Sequence, residues 1–445
     1  MSYSKFKLKD SGGVVYYEIE TNGLYNELGE SLSMPPEQDL SFYEEAKQFH
    51  GTRKKTNKPT AIRILLGHAC NYSCDYCMQK DIGNPEELPA NKNLQPFIDS
   101  LDENLDLENL ERIELWGGEP FLYWNDMQPL MKYFDKKGRH FYISTNGSAL
   151  RQKHADFFEK LESKITMGIS HDGPGQERLR GDDIFDKKSV AETLQSLDKM
   201  YPHVQFSFNS VISLTNYDLF GINKYFKDVA DRLGLKNVKL SYTMARTYDE
   251  TNSQNSADHV IKGEHLLHFK TLFEDYLTEC IQQLKTYGRS DKRPFLEANV
   301  FDGKMGVIDY AQTLKSQVPV TMTSGCGADA SDVLSIDLQG NVRLCPHTSE
   351  KFIAGPITNL KGIRIVQLDL DRKGTHCLDC NVRRLCKSSC PIKFPDEVFM
   401  QNCRIEKVWN GVIQSKAFEL LLGEQVELVE LGIDKIEVPD AVLQS

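Results

Sequence analysis

The chain of 445 residues has no apolar run approaching the ~18 residues that a membrane-crossing helix needs. Its first residues, Met1-Ser-Tyr-Ser-Lys-Phe-Lys, lack the apolar core of a secretion signal. A cytoplasmic chain with reduced thiols is the expectation. It also lacks the positive balance of a nucleic-acid binder, because the formal net charge is −11. No internal repeat or low-complexity tract appears, which excludes solenoid and disordered classes.

Cysteine, by contrast, is plentiful: eleven residues, many for a reduced compartment. Cys280 lies in the helical stretch His265–Cys280 and reads as a core residue. The other ten fall into two blocks. The first is Cys70-Asn-Tyr-Ser-Cys74-Asp-Tyr76-Cys77. The second holds Cys326, Cys345, Cys377, Cys380, Cys386, Cys390 and Cys403, with Gly340 between its first two members. Disulfides compete as an account, but cysteine pairs in a cytosolic chain more often bind metal. Zinc competes too, yet it wants four ligands, and beside the first triplet only His68 offers a fourth.

The apolar run Ala61–Leu66 reads as a buried strand leading straight into the first cysteine loop. Three thiolates from one loop hold three irons of a [4Fe-4S] cube and leave the fourth without a protein ligand. Such an iron can chelate a small molecule and pass it one electron. Strands are expected at 60–68, 111–117, 140–145, 165–170, 204–213 and 238–245. Helices are expected near 92–104, 125–137, 151–163, 186–201 and 218–233. This alternation predicts βα units around a parallel sheet, an α/β chain with a partial (β/α)6 TIM-like barrel open on one side.

The expected organisation has five parts. Residues 1–59 form an extension with a strand at 13–20 and a helix at 40–50, closing the barrel floor or edging a peptide groove. Residues 60–250 form the barrel. A helical linker covers 251–319, its helix at 263–289 and its segment 290–315 unassigned. The second cysteine block spans 320–405. A helix over 404–422 leads into the tail, within 406–445.

The first loop resembles that of the radical S-adenosylmethionine (SAM) superfamily. The second block resembles the SPASM iron-sulfur domain of radical SAM peptide maturases. By that resemblance Cys70, Cys74 and Cys77 hold the SAM-binding cluster, and Tyr76 lies by the adenine. Gly117-Gly118-Glu119-Pro120, closing the second barrel strand, receives the amino group of SAM. Ser144 and Asn146 close strand three, where hydroxyls and amides suit a ribose or carboxylate. Ser170 and Arg180 map to ribose and carboxylate contacts after strand four. That segment is shorter than the family pattern, so Arg178 rivals Arg180. Asn209 on strand five is a candidate contact, with capping or core hydrogen bonding equally open.

The resemblance further implies two auxiliary clusters, three [4Fe-4S] clusters in all. Cys377, Cys380, Cys386 and Cys403 hold the outer auxiliary one, and Cys326, Cys345 and Cys390 the inner. An iron left open on the inner cluster is preferred to a fourth ligand from Cys280 or His347. The implied partners are a precursor peptide and an electron donor such as flavodoxin or ferredoxin, with no nucleic acid and no membrane. The implied activity is an intramolecular crosslink, thioether or carbon–carbon, in a ribosomally made peptide. Formylglycine formation on a sulfatase and a non-catalytic peptide-binding scaffold are the alternatives. No general base stands out.

Overall fold

The computed structural model describes residues 3–19, 21–33, 54–79, 82, 93–246, 258–288, 293–303, 305–315, 326–347, 350–363, 377, 380–387, 390 and 396–430. The helix expected at 40–50 lies outside them. Among the described residues no helix is long and apolar enough to cross a membrane.

Three short strands come first, β1 (Tyr3–Leu8), β2 (Val14–Glu18) and β3 (Gly23–Asn26). The barrel strands follow: β4 (Ala61–Leu65), β5 (Arg112–Trp116), β6 (His140–Thr145), β7 (Lys164–Ser170), β8 (Val204–Ile212) and β9 (Lys239–Met244). They pair in parallel and in chain order. The intervening helices are α1 (Gln95–Asn104), α2 (Trp124–Phe134), α3 (Gln152–Phe158), α4 (Lys188–Lys199) and α5 (Leu219–Leu233). The six strands and five helices therefore stand where alternation of apolar runs and amphipathic stretches predicts them.

The strands are two-faced. Ile62, Ile113, Phe141, Ile165 and Phe206 are buried. On the opposite face, Arg63, Glu114, Tyr142, Thr166 and Gln205 stand side by side in register. Closed barrels fill that interior with branched apolar side chains. Here the row is polar, and Tyr142 is 36% exposed in the middle of the sheet.

Six strands were expected, but among the described residues the sheet has nine. β10 (Val333–Asp337) pairs in parallel with β4, and β11 (Asn341–Arg343) and β12 (Ile353–Pro356) add to it antiparallel. The run Val333-Leu-Ser-Ile is buried throughout, yet it lies inside a block whose cysteines dominate the pattern. One edge of the barrel is thus covered by the C-terminal domain. The N-terminal extension differs as well. Strand β13 (Val426–Glu430), from the tail, joins the first three in a four-stranded sheet ordered β13-β1-β2-β3.

Three further helices complete the frame, α6 (Glu264–Tyr287), α7 (Val307–Lys315) and α8 (Asp396–Leu422). The N-terminal sheet packs on α8, with Phe6 and Tyr17 against Phe418 at ring distances of 5.0 and 5.5 Å. The ends of the chain therefore share one core.

His154 closes the first turn of α3 by accepting from the Arg151 N–H at 3.1 Å, and its ring packs 4.3 Å from Trp124. Burial first, then Lys153 and Arg151, lower its pKa to about 4. The unfolded chain takes up a proton near pH 6.5 that the folded one refuses. Stability carried by neutral His154 is therefore complete above pH 6.5 and falls as pH drops toward 4. Comparing urea unfolding of the parent with His154→Gln between pH 7 and pH 4 should show the parent losing about 2 kcal/mol more.

Candidate active site

The first cysteine loop leaves the C-terminal end of β4 and is held there by the next strand's loop. The Leu66 N–H donates to Trp116 O at 2.8 Å, Gly118 N–H to Gly67 O at 3.0 Å, and Glu119 N–H to Ala69 O at 2.9 Å. A methyl group on Gly118 would run into the His68 and Ala69 carbonyl oxygens. Glycine is required there for backbone to lie on backbone.

Glu119 is fully buried. Its carboxylate accepts from Phe121 N–H at 3.0 Å, Thr145 Oγ1 at 2.6 Å and Asn146 N–H at 2.6 Å. Burial pushes its pKa up, and the three hydrogen bonds pull it down. Glu119 is a strut between two strand ends, where the sequence predicts a direct contact with an ammonium group.

Asn146 is also committed. Its amide donates to Asn71 Oδ1 at 2.9 Å and lies 3.9 Å from Cys70 Sγ, and its carbonyl accepts from Ser148. It braces the cysteine loop. Ser144 and Ser170 are half-buried at the ends of β6 and β7. The Asn209 amide lies on Gly168 of the neighbouring strand, where a Cβ would collide with it, and accepts from Ser207 Oγ at 2.8 Å.

The densest polar contact joins Tyr76, Asp172, Arg180 and Cys74. Arg180 Nε donates to Asp172 Oδ2 at 2.9 Å, and the Tyr76 hydroxyl donates to the same oxygen. The guanidinium lies 5.2 Å from the Tyr76 ring centroid and 3.9 Å from Cys74 Sγ. The other Asp172 oxygen accepts from Val211 N–H at 2.9 Å. Burial alone would lower the Arg180 pKa, but Tyr76 and Asp172 hold it above the usual range.

Arg178 turns away and donates to Thr215 O at 2.6 Å. The geometry thus separates the two arginines that the sequence left as rivals. Asp172 is the residue that sequence reasoning missed. It stood in the Ser170-His-Asp172-Gly-Pro segment but gave no sign that it would anchor Arg180.

The cysteines gather in three groups. Burial raises the Cys70 thiol and pushes Cys74 up to about 12, with Cys77 acting on both. Cys345, pushed up to about 12 by burial, feels Cys390 and Cys326. Cys380, Cys386 and Cys403, all raised chiefly by burial, feel Cys377. Thiols so buried stay protonated unless a metal takes the proton's place. Cys280 stands apart, among Tyr276, Asp302 and Arg293.

Among the described residues, no three Cys, His, Asp or Glu side chains converge to hold one metal ion. A cubane asks for no such convergence, since each thiolate sits on its own iron. The donor chemistry therefore suits iron-sulfur clusters. The Cys326 loop is pinned by two buried cations. Lys55 Nζ donates to the carbonyls of Ala328, Ala330 and Val333 at 3.1, 2.7 and 2.7 Å, and Arg63 donates to that of Cys326.

A cavity of about 500 Å³ joins these parts. Cys74, Tyr76, Cys77 and Arg180 line one side, and His347, Glu406 and Trp409 from the C-terminal domain line another. Arg246, beyond β9, pairs with Glu406 across it.

Three substitutions test this geometry. Asp172→Asn frees Arg180 and should weaken SAM binding to the iron-loaded chain at least tenfold by equilibrium dialysis, while Arg178→Ala stays within about twofold. Gly118→Ala should cost several kcal/mol, read as a fall in thermal midpoint.

Residues 64–213 match the model of the Radical SAM superfamily. The radical SAM cyclopropyl synthase TigE of Paramaledivibacter caminithermalis is 24% identical over 221 residues, 45% of this chain and 46% of that protein. An S-adenosylmethionine-dependent nucleotide dehydratase of Psychrobacter lutiphocae is 24% identical over 183 residues, 38% of this chain and 60% of that protein. The chain thus spans about half the length of the curated relatives it matches. Among solved structures, native anSMEcpe with bound AdoMet superposes with a TM-score of 0.54 at 17% identity, covering 82% of this chain and 99% of that one. SuiB of Streptococcus suis gives 0.50 at 14% identity, covering 80% of each. At these identities the likeness is one of fold.

Proposed function

Residues 64–213 are a radical SAM domain, and from that premise we propose that the chain is a SAM-dependent maturase of a ribosomally made peptide. It would install an intramolecular crosslink, thioether or carbon–carbon. The carrying observation is the cavity shared by the Cys74–Cys77 loop and the C-terminal domain. Substrate bound there would lie against the first cysteine loop and against His347 of the second block. The likeness to anSMEcpe supports a peptide as substrate class, since that protein is solved with bound AdoMet and the Cp18Cys peptide at a TM-score of 0.53.

With its cluster and SAM bound, the site supplies one-electron cleavage of SAM and a 5′-deoxyadenosyl radical that removes hydrogen from carbon. The chain supplies position and dryness. Cys70, Cys74 and Cys77 would hold the cluster, and Cys326, Cys345, Cys377, Cys380, Cys386, Cys390 and Cys403 two auxiliary ones. Arg180, oriented by Asp172, offers a fixed cation to the SAM carboxylate. Tyr76 offers a ring beside it, and Ser144 and Ser170 offer hydroxyls. Glu119 and Asn146 keep the cysteine loop in place. Trp409 and the Arg246–Glu406 pair line the cavity. A flavodoxin or ferredoxin would deliver the electron.

The test uses the anaerobically reconstituted full chain with dithionite, SAM and the peptide encoded beside its gene. Formation of 5′-deoxyadenosine and loss of two hydrogens from the peptide, read by mass spectrometry, are expected. The variant Cys70→Ala/Cys74→Ala/Cys77→Ala should lose both while retaining iron. A peptide of unchanged mass, with SAM cleaved, would refute crosslinking.

A further inference from the structure

The inner auxiliary group has three thiols, Cys326, Cys345 and Cys390, where a [4Fe-4S] cluster has four irons. The sequence 316–325 ahead of Cys326 holds neither cysteine nor histidine. Cys280 lies elsewhere, its thiol set by Tyr276, Asp302 and Arg293. His347 is different. It stands two residues beyond Cys345, and its backbone N–H donates to Cys345 Sγ at 3.5 Å.

The His347 ring is fixed edge-on against Trp116, 4.5 Å between centroids. Its Nδ1 is buried and has no hydrogen-bond partner among the described residues. An imidazole nitrogen left so costs stability, and proteins rarely leave one without a reason. His347 and Cys345 also face the same guanidinium, that of Arg63, which donates to the Cys326 carbonyl. One lone pair and two of the three thiol-bearing residues are thus gathered around one cation.

We infer that the His347 imidazole is the fourth protein ligand of the inner auxiliary cluster. The assignment rests on the reading that the second cysteine block binds iron-sulfur clusters. Imidazole in place of thiolate raises a cluster's potential, as in Rieske centres, and suits this cluster to accept an electron. Because His347 also lines the cavity, the ligated iron would face the substrate side. His68 is the rival, with a buried, unpartnered Nδ1 of its own. It stands beside Arg343 and Asp337, on the approach to Cys70.

The experiment uses the full chain labelled with 15N-histidine and reconstituted anaerobically, in the Cys70→Ala/Cys74→Ala/Cys77→Ala background so that only auxiliary clusters give signals. Pulsed EPR after dithionite reduction should show a strongly coupled histidine nitrogen. The coupling should persist in His68→Ala and vanish in His347→Ala. If His347→Ala also loses iron, His347→Cys should restore it without the nitrogen coupling. Iron present without a coupled histidine nitrogen overturns the assignment and leaves the cluster reading intact. So does a coupling that survives His347→Ala, or iron lost in His347→Ala that His347→Cys does not restore. A parent chain that takes up no iron overturns the cluster reading and this assignment together.

Discussion

The pairing of β10 with β4 is the constraint on which the rest depends. Five consecutive residues, Val333 to Asp337, lie in parallel register beside Ala61 to Leu65. The Cys70 loop leaves the end of β4, and the turn after β10 leads through β11 to Cys345. One ladder of backbone hydrogen bonds therefore fixes two cysteine blocks that are far apart in sequence. A slip of one residue would turn Ile62 and Ile64 out of the core and carry the loop away from its partner.

Around that ladder, polar groups do the positioning and apolar groups the anchoring. Glu119 ties β6 to the cysteine loop. Asp172 ties the end of β7 to Arg180 and Tyr76, and reaches β8 through Val211. Lys55 and Arg63 pin the Cys326 loop to the barrel. Each is buried, and each is satisfied by partners on a different element. Removing any of them strands its partners in the interior, which costs far more than the net value of one hydrogen bond. The site is pre-organised by the same contacts that stabilise the fold.

Much of this was legible in the sequence. The six barrel strands came within a residue or three at each end because both faces carry clear signals, an apolar face under helices and a polar one along the open interior. The cysteine spacing told the two blocks apart, and the family resemblance implied the division of the second into groups of three and four. The missed features have a common cause. β10 to β12 lie among cysteines and glycines that read as a loop. β1, β3 and β13 are short, and their pairing joins the two ends of the chain, which no local pattern can report. Asp172 could be named but not understood, because its partners come from three elements. Glu119 could be named as a site residue, but its internal donors on Thr145 and Asn146 lie on another element and could not be read from the sequence.

The central claim is that Cys70, Cys74 and Cys77 hold a cluster with one iron open to SAM. The most direct measurement is EPR of the dithionite-reduced, iron-loaded full chain with and without SAM under conditions that prevent turnover. The account predicts that SAM changes the signal belonging to this loop, and that the change disappears in Cys74→Ala. A signal indifferent to SAM, or a loop loaded with zinc in place of iron, would contradict it.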